Sequence, residues 1–150
     1  MSIVVTVDRK LLRDVLDRLY AVTDDLSPVM KKIGGEMEAR IRDRFSARSD
    51  PLGLAWEPWR ASTVNAYPKD GHRRMLDRFG DMFDSINYEF DDHSVTIGFG
   101  QPYAAYHEFG TKTMERRGLL FADPDEGTLA PDDERALIDI VMHVLDSALD

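Results

Sequence analysis

INYEFDDHSVTIGF occupies residues 86–99, with apolar side chains at alternate positions on both sides of a polar turn. Alternate residues of a strand lie on the same side of a sheet, so this pattern predicts an antiparallel hairpin with one apolar face. A two-stranded sheet is not stable alone in water, and the helical segments around it are the candidates to cover that face. The apolar positions are Ile86, Tyr88 and Phe90 before the turn and Val95, Ile97 and Phe99 after it.

Three amphipathic helices are predicted around the hairpin, over residues 9–23, 28–46 and 131–149. In each of them apolar side chains recur at spacings of three and four, which places them on one helical face. The predicted fold class is therefore α+β, with a small antiparallel sheet packed against the N-terminal helices and a C-terminal helix. The remaining predicted elements are a strand over 3–7 and helical turns beginning near Ser62, over 75–83 and over 103–109.

Two features of the helix over 28–46 lead to local predictions. Ser27 followed by Pro28 is typical of a helix start, with Ser27 as the N-cap. Gly34 and Gly35 lie inside the helix, where each costs about 1 kcal/mol relative to alanine. We therefore expect either a bend at this point or another backbone packed close to it.

Length and composition indicate one domain and exclude several classes of protein. The chain has 150 residues, of which 43% are hydrophobic, and it has no cysteine. A chain of this size can form a core without disulfides, and the missing thiols exclude thiolate zinc sites, iron–sulfur clusters and cysteine nucleophiles. No segment has the length of a membrane span or the pattern of a signal peptide, so we expect a protein made in the cytoplasm.

Charge is distributed unevenly along the chain, whose net charge is −9. Residues 1–75 contain 14 Lys and Arg against 11 Asp and Glu, whereas residues 76–150 contain 5 against 17. An acidic protein repels the phosphates of nucleic acids and of anionic lipids. We therefore expect neither sequence-specific nucleic-acid binding nor membrane binding.

No residue pattern identifies a catalytic, metal or cofactor site. His107-Glu108 begins like a zinc-protease motif, but that motif needs a second histidine four positions after the first, and position 111 is Thr. We predict no catalytic residue, no metal and no cofactor. One enzyme alternative stays open, a small hydrolase that uses His107 with Glu108 or Asp92 as its acid and base.

Residues 111–130 show no periodicity, and aperiodic loops of this length are commonly functional or disordered. We expect a long flexible arm here that contacts a second protomer. Trp56 and Trp59, in a loop, are either a lid over the core of their own chain or anchors in such an interface. The candidate interface residues are Trp56, Trp59, Arg116, Arg117, Leu119, Leu120 and Phe121.

Several short motifs follow one another along nearly the whole chain. They are DPLGLAWEP at 50–58, GDM at 80–82, VTIG at 95–98, YAAYHEFGT at 103–111 and the Arg117–Phe121 segment. No single motif is specific, but the ordered set resembles the phage virion morphogenesis family, the tail completion proteins of Mu-like and P2-like phages and prophages. One departure lies in the loop before the last helix, where Arg117 and Phe121 are kept without the prolines usual in the family.

The resemblance implies a non-enzymatic structural protein that completes the tail or joins it to the head. It implies self-association into a ring, with a hexamer as one expected size, and contact with the tail tube or with terminator and neck proteins. It also implies a place in the host cytoplasm during assembly and in the virion thereafter. A monomeric adaptor that docks a partner helix near Met30, Ile33 and Met37 is the alternative from another class.

Overall fold

The computed structural model describes residues 10–21, 25–58, 60–66, 81–92, 94–101 and 103–149. The strand predicted over 3–7, the segment 67–80 and Trp59 lie outside the described residues. Within them the chain forms six helices and one hairpin, which confirms the predicted α+β class. The elements are α1 (Lys10–Tyr20), α2 (Ser27–Ala47), α3 (Ala61–Ala66), α4 (Asp81–Asp84), β1 (Ile86–Phe90), β2 (Val95–Phe99), α5 (Ala104–Phe109) and α6 (Pro131–Leu149).

The hairpin is antiparallel and has the predicted apolar face. β1 pairs antiparallel with β2, with Tyr88 opposite Ile97 and Ile86 opposite Phe99. Burial is greatest at the end away from the turn, where Ile86 and Phe99 are buried, and it decreases to the exposed Phe90 beside the turn. The sheet therefore meets the core at one end and solvent at the other.

Helix α2 is the central element, because it contacts both strands and also α6, while α1 packs on α6. The apolar residues that face each other across these contacts form one buried cluster among the described residues. Phe45 lies in this cluster with its ring edge-on to Trp56 at 5.9 Å and to Phe83 at 5.3 Å between centroids. Where the structure describes their side chains, the predicted periodic residues of α1, α2 and α6 thus lie in or against the core, as expected from their spacing.

The start of α2 differs from the prediction. Ser27 is the first residue of the helix and not its N-cap, and the residue before it, Leu26, makes no side-chain capping bond. Instead the Ser27 amide donates to Asp25 Oδ1 at 2.9 Å. Hydrogen bonds from the Ser27 side chain and amide lower the pKa of Asp25. The side-chain acceptor for an amide of the first turn is thus the Asp25 carboxylate. The sequence pattern had predicted that the Ser27 side chain would accept a hydrogen bond of this kind as the N-cap.

Gly34 has a packing role that involves an aromatic ring. A Cβ built on Gly34 would lie 2.2 Å from Cδ2 of Tyr88, so the tyrosine ring of β1 rests directly on the backbone of α2. The close neighbour is thus a side chain, where we expected a bend or a backbone. At Gly35 the nearest such atom is the Tyr88 hydroxyl at 3.8 Å, an ordinary contact. Only the first of the two glycines is required by packing.

None of the helices in the described ranges is both long enough and apolar enough to cross a membrane.

Candidate functional site

The segment of residues 116–121, called here the anchored segment, is held by one buried carboxylate. Glu108 lies on α5 with its side chain fully buried. Its Oε2 accepts hydrogen bonds from the amides of Leu119 and Leu120 at 2.6 and 3.0 Å. Its Oε1 accepts one from the Phe121 amide at 2.9 Å. Both carboxylate oxygens are therefore occupied by backbone donors, which fixes three consecutive residues of a segment without secondary structure.

The two arginines of the anchored segment bind within their own chain. Arg116 Nε donates to the Glu108 carbonyl at 2.7 Å, and its guanidinium also donates to the Phe121 carbonyl at 2.7 Å. Arg117 donates to the carbonyls of Glu57 and Pro58 at 3.0 and 3.1 Å. The arginines thus join the anchored segment to α5 on one side and to the loop after Trp56 on the other.

Contacts from the core complete the attachment. Trp56 is buried, and its Nε1 donates to the Gly118 carbonyl at 3.0 Å. Arg44 of α2, also buried, donates to the Leu119 carbonyl at 2.6 Å and to both oxygens of Asp133 at 2.5 Å. Since Asp133 lies in the first turn of α6, its charge is placed favourably for the helix dipole as well as for the guanidinium.

Apart from Trp59, which lies outside the described residues, the predicted interface residues have places inside the protomer. Leu119 and Leu120 are fully buried and Phe121 is 6% exposed, all in the main core. Trp56 covers the core of its own chain, which is the first of the two interpretations offered from the sequence. Contact of these residues with another copy stays a prediction, as does flexibility of the arm over 111–130, but the anchored segment of that arm packs against its own chain.

His107 and Glu108 do not form an acid–base pair. Glu108 has both oxygens bound to amides, whereas His107 Nδ1 is buried without a hydrogen-bond partner among the described residues. Burial, and secondarily the positive charge of Arg117, lower the pKa of His107 to about 4. The imidazole is neutral at pH 7, and its ring lies edge-on to Tyr103. The described residues contain no group of three or more metal-ligating His, Asp or Glu side chains.

The helix face proposed for an adaptor is covered. Met30, Ile33 and Met37 are at most 3% exposed and belong to the core cluster. These residues therefore pack against their own chain and leave no groove for a partner helix at that position.

Exposed apolar side chains occur instead in the loop at Leu52 and Leu54, at Phe90, and as three aromatic residues on and beside α5. Tyr106 is 59% exposed and Phe109 is 47% exposed, and the exposed Tyr103 lies one helical turn before Tyr106. We call these three residues the aromatic face. Aromatic side chains this exposed are typical of protein interfaces, where their large area is buried at a small cost in side-chain entropy.

A cleft of about 300 Å³ adjoins the aromatic face and is lined by Arg60 and by residues 109–116. Its lining includes the cationic residues Arg60, Lys112 and Arg116 and one acidic residue, Glu115. The Arg116 guanidinium is paired with the buried Glu108 carboxylate at 3.5 Å, so the positive charge left to the cleft is that of Arg60 and Lys112. We call it the basic cleft. Gly110 shapes its wall, because this residue has φ 74° and ends α5 at the position predicted from the sequence.

Beyond the anchored segment the chain forms a tight turn over residues 123–128, called here the acidic turn. The Thr128 amide donates to the Asp123 carbonyl at 3.0 Å, and Asp123 Oδ1 accepts from the amides of Asp125 and Glu126 at 3.0 and 3.2 Å. Gly127 has φ 68°, which favours glycine. The turn projects between buried Phe121 and buried Leu129, with Asp123, Asp125 and Glu126 exposed.

Comparison with known proteins accounts for the ordered motifs of the sequence. A sequence model of the phage virion morphogenesis family matches residues 7–146. The chain belongs to this family. A protein of Haemophilus influenzae, Mu-like prophage FluMu G protein 2, is 25% identical over 128 residues, which are 85% of this chain and 84% of that relative. No solved structure matches.

Membership of the phage virion morphogenesis family confirms the resemblance noted in the sequence. It associates the chain with virions and supports a structural phage role. The anchored segment, the basic cleft and the acidic turn all lie within the matched residues. The sequence had singled out Glu108 only as a possible partner of His107 in catalysis, and its role as the acceptor for three amides was missed.

Proposed function

We propose that this protein is a non-enzymatic structural component that completes the phage tail or joins it to the head by self-association into a ring. Family membership supports the virion role. The observation that carries self-association is the aromatic face, since Tyr106 and Phe109 expose large apolar side chains beside the basic cleft. Single exposed apolar residues are ordinary on a surface, but adjacent aromatic residues next to cations have the composition of an interface.

The structural role of the two buried carboxylates supports a non-enzymatic function. Glu108 and Asp133, two fully buried carboxylates, are bound to backbone amides and to arginine respectively. Such groups hold the fold and present no free lone pair to a substrate. The partners we propose are further copies of this chain, the tail tube, and the terminator or neck proteins.

Light scattering coupled to gel filtration over a concentration series tests this proposal. A ring gives a discrete multiple of 17.1 kDa, of about six protomers if it is a hexamer. Changing Tyr106 and Phe109 together to serine should raise the dissociation constant at least about tenfold, because apolar area is lost from the interface. Phe90→Ser is the matched control, since Phe90 is 42% exposed but lies on the hairpin.

A wild-type chain that stays monomeric at every concentration, both alone and with purified tail tubes, overturns the proposal. An equal effect of Phe90→Ser and of the paired change on α5 overturns the assignment of the interface to the aromatic face. Circular dichroism and urea unfolding of each variant show whether a lost oligomer reflects a lost fold.

A further inference from the structure

The basic cleft and the acidic turn are surfaces of opposite charge on one chain. The cleft has the exposed cations Arg60 and Lys112 against Glu115, although residues 76–150 contain only 5 Lys and Arg against 17 Asp and Glu. The acidic turn exposes three carboxylates within four residues. Two surfaces of opposite charge on one molecule suit head-to-tail association, which joins different and complementary patches of neighbouring copies.

We propose that the acidic turn of one copy docks into the basic cleft of the next copy, so that the protomers associate head to tail. This inference rests on the self-association proposed above and names its contact surfaces. A head-to-tail contact uses different patches on its two sides, and it closes into a ring when the rotation between neighbours permits. The occupant of the cleft is therefore a second copy of this chain.

The charges of both surfaces are available for such a contact. Among the described residues, the side chains of Lys112, Asp125 and Glu126 are exposed and form no hydrogen bond or ion pair with their own chain. Arg116 lies in the wall of the cleft, and its guanidinium is held by the carbonyls of Glu108 and Phe121 and by the Glu108 carboxylate. The cations that face the docking position are therefore the exposed Arg60 and Lys112.

The acidic turn has a shape that its own hydrogen bonds hold. The two amide bonds to Asp123 Oδ1 and the backbone bond from Thr128 to Asp123 hold its shape. Buried residues on both sides, Phe121 and Leu129, fix the points where it leaves and rejoins the core. A preformed turn loses little conformational entropy on docking, so more of the electrostatic attraction remains as affinity.

The apolar part of the contact is supplied by Phe109, which belongs both to the aromatic face and to the lining of the basic cleft. Its ring adjoins the cations, so a partner seated in the cleft also covers this exposed aromatic surface. This arrangement of an apolar centre with charged neighbours matches the general anatomy of protein interfaces.

Charge reversal on each side is the test. One variant carries Arg60→Glu and Lys112→Glu in the cleft, and a second carries Asp125→Lys and Glu126→Lys in the turn. Each variant alone should raise the dissociation constant at least about tenfold, measured by light scattering or sedimentation. The chain with all four changes should recover the wild-type oligomer, because the two surfaces are again complementary.

Matched controls separate a local contact from an effect of net charge. Lys31→Glu with Lys32→Glu on α2 repeats the charge change of the cleft variant, and Asp139→Lys with Asp146→Lys on α6 repeats that of the turn variant. All four control positions are exposed. The controls should leave assembly within about twofold of wild type at ionic strengths near 0.15 M.

The outcomes distinguish this inference from the proposed function. If the wild type is a discrete oligomer and neither reversal changes it, the docking inference fails and the ring remains. If the four-change chain stays dissociated while all variants fold normally, the pairing of these two surfaces is wrong. If the wild type never associates, alone or on tail tubes, the proposed function fails together with the inference.

Discussion

The anchored segment and the acidic turn are consecutive parts of one aperiodic stretch, but they are held in different ways. The anchored segment is fixed by distant groups, namely Glu108, Trp56 and Arg44, and its apolar side chains enter the core. The acidic turn is fixed by hydrogen bonds within itself, and its charged side chains face solvent. A lack of periodicity therefore does not mean a lack of structure, since buried polar groups can replace helix and strand hydrogen bonds.

The largest expected effect comes from removing the carboxylate that holds the anchored segment. Glu108→Ala leaves three buried amides without an acceptor, and each unsatisfied group costs about 1–3 kcal/mol. We expect a loss of at least about 4 kcal/mol in the free energy of unfolding, measured by urea denaturation. Glu115→Ala, at an exposed position close by, should change stability by less than about 0.5 kcal/mol.

If Glu108→Ala were as mild as its control, the anchored segment would not depend on the carboxylate, and the contrast with the acidic turn would disappear. Hydrogen exchange of the Leu119, Leu120 and Phe121 amides gives a second measurement. Exchange at these three positions should accelerate in Glu108→Ala beyond the change caused by lower global stability.

A second effect depends on pH and concerns His107, whose carbonyl accepts from the Arg117 amide at 2.9 Å. The folded pKa is lowered from 6.5 to about 4, so between these values the unfolded chain binds a proton that the folded chain does not. The contribution of His107 to stability is therefore complete above pH 6.5 and is lost as the pH falls towards 4. The loss is on the order of 2–3 kcal/mol.

Urea unfolding at several pH values, compared between the wild type and His107→Gln, isolates this contribution. The variant lacks the titrating group, so its stability should fall less steeply between pH 6.5 and pH 4. Parallel pH profiles for the two proteins would show that His107 has the same pKa folded and unfolded.

The smallest effect is expected in the acidic turn. Asp123→Ala removes a side-chain acceptor from two exposed amides, and local capping bonds of this kind contribute about 0.5–1 kcal/mol. Urea unfolding should show a loss in that range, with faster hydrogen exchange at Asp125 and Glu126. Asp125→Ala, which removes an exposed carboxylate and no hydrogen bond, is the control. If Asp123→Ala lowered the free energy of unfolding as much as Glu108→Ala does, the acidic turn and the anchored segment would be stabilised to the same degree by their side-chain acceptors.

The elements that the sequence predicted are those whose stabilising contacts are periodic. Spacing alone indicated α1, α2, α6 and the hairpin, because burial of one face imposes a period of 3.6 or 2 on the residues. The end of α5 was also predicted, since Gly110 has φ 74° and ψ 171°, a conformation open almost only to glycine.

The candidate site could not be predicted in the same way, because its contacts join residues that are far apart in sequence. Glu108 binds amides 11 to 13 positions away, and Arg44 meets Asp133 across 89 positions. Backbone amides are present at every residue and leave no sequence pattern, so nothing in residues 119–121 indicated their acceptor. The leucines and the phenylalanine there indicated burial but not which chain would bury them.

The pair of Arg44 and Asp133 constrains how this sequence can change during evolution. Replacing Arg44 leaves the buried Asp133 with only its longer contact to Arg40 at 3.3 Å, and replacing Asp133 leaves the buried Arg44 guanidinium without a carboxylate. Breaking a buried pair commonly costs about 3–5 kcal/mol, whereas exchanging both residues for apolar ones of similar volume is often tolerated. Substitutions at positions 44 and 133 are therefore expected to occur together across the phage lineages that carry this protein. The two positions should therefore covary in aligned sequences, and this covariation would indicate the contact between the start of α6 and α2.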